Sequence, residues 1–258
     1  MDKCDKPPTR NPAPASTQYS VLSTQHPSRC QTPLHHWHVV HGARFAEIDG
    51  WQIPAVYTVV EHEIAAARYG VGLADISAFA KTNLVGPRVT ELARALAGAG
   101  RVTRPGGVTL LDICGPGLAC RLGAEQLLLL ASTTNAKQLG DPLAALLQAH
   151  AVVHHDVTSA YAGFCLIGPH TEGVLRQLTS VDVSSAALPA GSCAETSLAG
   201  AHALLVRAPD MRLPSIRVYV AWDLAEYAWE SLLSAGGGVE LTPLGLEAWR
   251  RLMIAEGN

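Results

Sequence analysis

Apolar positions along this chain follow two rhythms, and the switch between them falls at glycine–proline pairs. Lys81 to Val85 alternates as a strand would, Gly86-Pro87 interrupts it, and Val89, Leu92, Ala93 and Leu96 then recur at helical spacing through Ala97. The same order returns later. Gly163 to Ile167 predicts a strand, Gly168-Pro169 breaks it, and Val174, Leu175 and Leu178 place one face of a helix over Thr171 to Leu178. Proline suits the first turn of a helix, because the N–H it lacks would be unpaired there anyway. Two such units predict an α+β body made of two similar antiparallel-sheet and helix halves, that is, a duplicated strand–Gly-Pro–helix unit.

Between the units, Val108 to Ile113, Leu118 to Leu122 and Gln126 to Ala131 predict three strands with glycine turns, and Leu139 to Ala149 predicts a helix. Beyond the second unit, His202 to Arg207 and Ile216 to Ala221 predict strands, and Leu224 to Leu233 a helix. Leu244 to Ile254 closes the chain as a helix with Leu246, Trp249, Leu252 and Met253 on one side. Near the start, Glu61 to Tyr69 reads as a helix and Gly50 to Pro54 as a turn. Residues 1–31, rich in Pro, Ser, Thr and Gln, bury too little to offset ordering entropy and are expected to be a flexible tail. The expected division is therefore 1–31 as tail, 32–150 as the first half and 151–258 as the second, with 32–258 one unit.

Charge changes the picture by exclusion. A net charge of −3 with 16% charged residues offers no clustered cations for a nucleic-acid backbone. No apolar run reaches the length of about 18 residues that a membrane span needs, and no apolar leader opens the chain. Six cysteines are scattered without a C-x-x-C, which predicts free thiols in a reducing cytoplasm and no metal site. His35, His36, His38 and His41 crowd together but lack carboxylates or thiols in ligand spacing, and His154-His155-Asp156 is read the same way.

Several segments together carry a resemblance. Thr32-Pro33-Leu34 with His38 and His41 to Phe45, Gly50 to Pro54 with Tyr57, Glu61-His62, and Gly72-Leu73-Ala74-Asp75-Ile76-Ser77 stand in order. Val85-Gly86-Pro87, Leu166-Ile167-Gly168-Pro169 and Pro243 to Ala248 through Glu256-Gly257 continue the series. From about Thr32 onward the chain resembles the folate-binding part of the glycine-cleavage T-protein (aminomethyltransferase) family, with no counterpart here of that family's C-terminal β-rich domain. The resemblance implies two α+β halves around a central channel, tetrahydrofolate as cofactor and transfer of an aminomethyl or methyl group. It also implies a partner such as a lipoyl carrier protein or a flavin dehydrogenase subunit.

The same resemblance exposes departures. No acid stands at the expected place in the hairpin Asp112-Ile113-Cys114-Gly115-Pro116-Gly117-Leu118, so Asp112 is the remaining candidate for a catalytic acid, against its reading as a solvated strand end. A Tyr-Thr-Gly-Glu signature is replaced by Arg207-Ala208-Pro209-Asp210-Met211-Arg212-Leu213-Pro214. The arginine expected in the closing helix is Trp249, with Arg250 and Arg251 turned about 100° and 200° around the axis. Tyr57, Trp249, Arg250 and Arg217 are the candidate folate contacts. Arg207, Arg212 and Arg217 offer a receiver for an anionic tail, against a solvated loop, and the alternative for Trp249 is a core residue. The alternatives to a transferase are a non-catalytic folate-family subunit or interaction protein, and a relative that has changed ligand.

Overall fold

The structure, a computed structural model, describes residues 29–96, 104–111, 117–132, 143–209 and 213–253. Asp112, Cys114 and Arg212 lie outside these residues, as does most of the expected tail. Three sheets organise what is described. The largest has six strands: β4 (Val71–Asp75), β10 (Tyr161–Ile167), β11 (Ser192–Leu198), β12 (Ala201–Arg207), β13 (Ser215–Ala221) and β14 (Leu241–Leu244). Their order is β11-β12-β13-β10-β4-β14. The second has five: β5 (Ala80–Val85), β6 (Val108–Leu110), β7 (Gly117–Arg121), β8 (Gln126–Ala131) and β9 (Val153–Asp156), in the order β6-β7-β8-β5-β9. A small sheet has the order β1 (Cys30–Gln31), β3 (Trp51–Val56), β2 (Arg44–Ile48).

Alternation along the strands sorts side chains into layers. On β10, β12 and β13, Phe164, Leu205 and Val218 face a core closed by Trp229 and Leu232 of α6 (Ala225–Ala235) and Val174 of α5 (Thr171–Leu175). Their neighbours Cys165, Leu204, Val206 and Tyr219 face the five-stranded sheet, meeting Leu118, Cys120, Leu128 and Leu130. The far side of that sheet, Leu84, Leu127 and Leu129, packs on Val89, Leu92 and Leu96 of α3 (Val89–Leu96) and Leu147 of α4 (143–150). The body is thus helix, sheet, sheet, helix. Both strand–Gly-Pro–helix units are present, as β5 with α3 and β10 with α5, one on each outer face. All pairings in the two large sheets are antiparallel except β14 with β4, which is parallel.

Two differences from the sequence pattern have physical causes. Gly50 to Pro54 is not a turn. The turn is Asp49-Gly50, both at positive φ (53° and 84°), which is the conformation a two-residue hairpin demands, and β3 follows immediately. Pro54 is tolerated in the strand because β1 pairs only with Trp51 and Gln52, and β2 carries a register shift beside it. Cys30 and Gln31, which composition assigns to the tail, form the edge strand β1.

One buried carboxylate joins distant parts of the chain. Glu63, on α2 (Val60–Tyr69), accepts the backbone N–H of Tyr57 at 2.7 Å and of Thr58 at 2.9 Å on one oxygen, and of Gly245 at 2.8 Å on the other. Gly245 leads into the closing helix α7 (Leu246–Met253), and a Cβ there would stand 2.1 Å from the Ala55 carbonyl oxygen, so the close approach requires glycine. Glu63→Ala would leave three N–H groups without their acceptor. A loss of about 3 kcal/mol or more is expected in urea denaturation, whereas a loss under about 1 kcal/mol would show that the carboxylate is dispensable.

Candidate functional site

The two large sheets do not close completely on one another. Between them lies a gap with about 60 Å³ of free space, lined among others by Lys81 and Asn83 of β5, Gln126 and Leu128 of β8, Leu204 of β12 and Tyr219 of β13. Tyr161, Glu195 and His202 stand at its rim. The Gln126 amide donates to the Asn83 side-chain oxygen at 3.1 Å, leaving both residues with further amide groups for a ligand. The gap offers two apolar walls, an amide pair, two phenols and a rim carboxylate. That combination suits a flat, polar-edged ring better than a charged group.

The floor is held from behind. Tyr219 lies over Gly163, where a Cβ would come within 2.8 Å of its ring, so glycine on the central strand β10 makes room for the phenol. Arg217, two residues along the same face, hydrogen-bonds the Tyr219 side chain and lies opposite Cys165 on β10. Burial raises the Tyr219 phenol to about 12 despite the Arg217 guanidinium, so the hydroxyl keeps its proton while it accepts from Arg217. Lys81 is fully buried and gives its three ammonium hydrogens to the carbonyls of Ser77 (2.8 Å), Phe79 (2.9 Å) and Thr158 (3.3 Å). It presents its stem, not its charge, to the gap.

A second polar group is buried on the opposite face of the six-stranded sheet. His38, on α1 (His35–Val40), lies 2.9 Å from Asp75 through Nε2 and 2.6 Å from the Tyr57 hydroxyl through Nδ1, and Asp75 accepts the Ser77 N–H at 2.8 Å. His38 and Asp75 are sealed from solvent on both sides of the pair. Burial opposes the Asp75 charge, but the hydrogen bonds from His38 and Ser77 prevail and hold its carboxyl below the usual range. Burial, reinforced by Asp75 and Glu63, raises the Tyr57 phenol. With His38 and Asp75 closed to solvent, this triad is a brace between α1 and β4.

The candidates named from sequence therefore separate. Tyr57 belongs to the brace, because its hydroxyl is taken by His38 and faces away from the gap. Arg250 is exposed on the outer side of α7. Trp249 is buried in the layer between the sheets, edge-on to Phe79 at 5.1 Å, with its N–H turned toward the Cys165 thiol. Arg217 backs the gap through Tyr219. Arg207 does not join it: one strand position decides the face, and Arg207 turns the other way to Glu172 at 2.9 Å and the Val183 carbonyl at 2.7 Å. Asp112 lies outside the described residues. Its flanks are joined by the Leu111 N–H donating to the Gly117 carbonyl at 2.9 Å, at the Ala131 end of the sheet. Among the described residues no group of three or more His, Cys, Asp or Glu is placed to hold a metal, and no helix is long and apolar enough to cross a membrane.

Two facing antiparallel sheets with outer helices, built from a repeated strand–Gly-Pro–helix unit around a central gap, define the class of fold. The chain belongs to the GCVT N-terminal domain family, which it matches over residues 34–257. It is 30% identical to the aminomethyltransferase of Saccharopolyspora erythraea, over 88% of this chain and 64% of that protein. The identity to the aminomethyltransferase of Bacillus subtilis is 25%, over 84% and 62%. The chain thus spans less than two thirds of the length of these relatives. Its fold is that of the glycine cleavage system aminomethyltransferase T from Bartonella henselae (TM-score 0.73, 22% identity, 88% of this chain and 62% of that one). It also matches a chain of the heterotetrameric sarcosine oxidase from Corynebacterium sp. U-96 (TM-score 0.58, 21% identity, 88% and 98%).

Lys81 gives a test of the layer between the sheets. Burial pushes its ammonium down to about 8, against the pull of Asp75 and Asp156. An unfolded lysine titrates near 10.4, so between about pH 8 and 10 the unfolded chain keeps a proton that the folded chain has released. The Lys81 contribution to stability therefore rises with pH across that window. The buried Cys120 and Cys165 thiols and the Tyr219 phenol trend the opposite way, because they hold their protons longer in the folded chain. In urea titrations at stepped pH, Lys81→Met should lose stability relative to the unmutated protein as pH rises through that window; parallel curves for the two proteins would contradict the shift.

Proposed function

We propose that residues 32–258 act as one folate-binding-type unit of a cytoplasmic, tetrahydrofolate-dependent one-carbon transferase that passes an aminomethyl or methyl group. A partner, a lipoyl carrier protein or a dehydrogenase subunit, would deliver the donor. The observation that carries this reading is the gap between the sheets, in a chain whose family relationship extends over nearly all its described residues.

The fit to a pterin is partial. Asn83, Gln126 and Glu195 offer the amide and carboxylate groups that a pterin edge pairs with, and Leu128, Leu204 and Tyr219 offer faces for its ring. Tetrahydrofolate would supply the nitrogen that accepts the one-carbon unit. The space as it stands admits roughly four waters, less than a bicyclic ring, so the sheets must part at the Tyr161 and Glu195 rim for the ring to enter. Among the described residues no buried carboxylate faces the gap, and no proton transfer is assigned to one.

That absence favours a second reading, a folate-family subunit that binds without catalysing. The transferase reading would place Arg217 and Trp249 as supports of the site and Asp112 as its acid; the second reading needs none of them to react.

Anaerobic calorimetric titration with tetrahydrofolate tests binding. Micromolar affinity is expected, and Asn83→Ala should weaken it about tenfold, equivalent to about 1.4 kcal/mol. No heat at millimolar ligand would remove both readings for this chain. Binding without transfer from an aminomethyl-loaded lipoyl carrier or from a dehydrogenase partner would leave the second.

A further inference from the structure

The two large sheets meet at a seam that the function above does not use. Residues 106–108 run between β7 and β11 and bond to both. The Gly106 N–H donates to the Arg121 carbonyl at 2.8 Å and the Arg121 N–H to the Gly107 carbonyl at 2.8 Å. On the other side, the Cys193 N–H donates to the Gly106 carbonyl and the Val108 N–H to the Gly191 carbonyl, both at 2.8 Å. Gly107 and Ser192 form an antiparallel bridge across this junction. Some Cα atoms of β7 and β11 come within 8 Å of one another.

Two thiols face each other across the seam. Cys120, on β7, is fully buried and lies opposite Val108 in the β6–β7 register; Cys193, on β11, points into the same layer with its sulfur 4.0 Å from the Arg121 carbonyl. The side chains are within hydrogen-bonding reach of each other, and both are free thiols. The third buried cysteine, Cys165, sits on β10, separated from β11 by β13 and β12.

We propose that Cys120 and Cys193 are a modification site, a dithiol that hydroperoxides convert to a disulfide clamping the two sheets together. Cys193 attacks a peroxide oxygen, forming a sulfenic acid and releasing water or an alcohol. Cys120 then attacks the Cys193 sulfur, the S–S bond forms and the hydroxyl leaves as water with the Cys120 proton. Two thiols are oxidised and one peroxide is reduced. The division of labour follows the contact. Contact with the Cys193 thiol and full burial together raise the Cys120 thiol, which leaves Cys120 as the resolving partner. Cys193 is also the less deeply buried of the two.

The consequence reaches the gap. Glu195, two positions along the same face of β11, lies at its rim, and Leu204 and Leu128 line its two walls. A bond at the seam ties the two walls together beside the gap and limits how far they can part. This inference stands on the thiol geometry alone and is independent of the folate reading.

The test is to treat the folded full-length chain with excess hydrogen peroxide, quench it, unfold it and map its non-reduced peptides by fragmentation that separates Cys114 from Cys120. The expected result is a peptide joining Cys120 to Cys193, formed whether or not the exposed Cys30 thiol is oxidised as well. The thermal midpoint should rise by about 5 °C or more from the closed loop of chain. Cys165→Ser should form the same link, and Cys193→Ser should not. Retention of all six thiols, a link to another cysteine, or over-oxidised Cys193 without a link would each overturn the proposal. Because the decisive product forms in the unmutated protein, a poorly folding variant does not obscure the answer.

Discussion

The Glu63 carboxylate is the contact on which the rest of the architecture depends. It collects N–H groups from the entry to α2 and from Gly245, so the last described helix is seated on elements formed nearly two hundred residues earlier. Seating α7 brings Trp249 into the layer between the sheets, where it packs on Phe79. The Phe79 carbonyl in turn takes a hydrogen from Lys81, whose stem lines the gap. A charged hydrogen bond at one end of the molecule is therefore connected, through one aromatic contact and one buried ammonium, to the candidate ligand site.

Facing sheets normally interdigitate apolar side chains at about 10 Å separation. Here the layer also holds Lys81, Arg217, Tyr219 and three thiols, and each polar group is answered locally: Lys81 by three carbonyls, Tyr219 by Arg217, Cys120 by Cys193. Such a layer is costly unless satisfied, and the groups leave a gap where the walls do not meet. The brace of His38, Asp75 and Tyr57 lies on the other face of the same sheet, so its resemblance in composition to a catalytic triad reflects a burial problem solved by hydrogen bonds.

The repeated strand–Gly-Pro–helix unit was legible in the sequence because its helical positions obey one rule: Val89, Leu92, Ala93 and Leu96 are all fully buried on one side. The strand β4 was not, because it is buried on both faces and its alternation is broken by need: Gly72 admits Leu244, and Asp75 answers His38. Of the site, Arg217 could be named but not its role. Arg207 and Arg217 look like one cluster in sequence, yet the β12–β13 register pairs Arg217 with Val206 and sends Arg207 to the opposite face. Glu61-His62 drew attention by pattern, while the acid that organises the fold is the next one, Glu63. Only tertiary contact distinguishes them, as Glu61 pairs at the surface with Arg251 at 2.9 Å.

The central claim is that the space between the two sheets is a ligand site. Amide hydrogen exchange of the full chain with and without tetrahydrofolate addresses it most directly. The account predicts added protection confined to strands on both sides of the gap, in peptides covering Lys81 to Val85, Gln126 to Leu130 and His202 to Val206. Protection restricted to the outer helices, or none at saturating ligand, would contradict it.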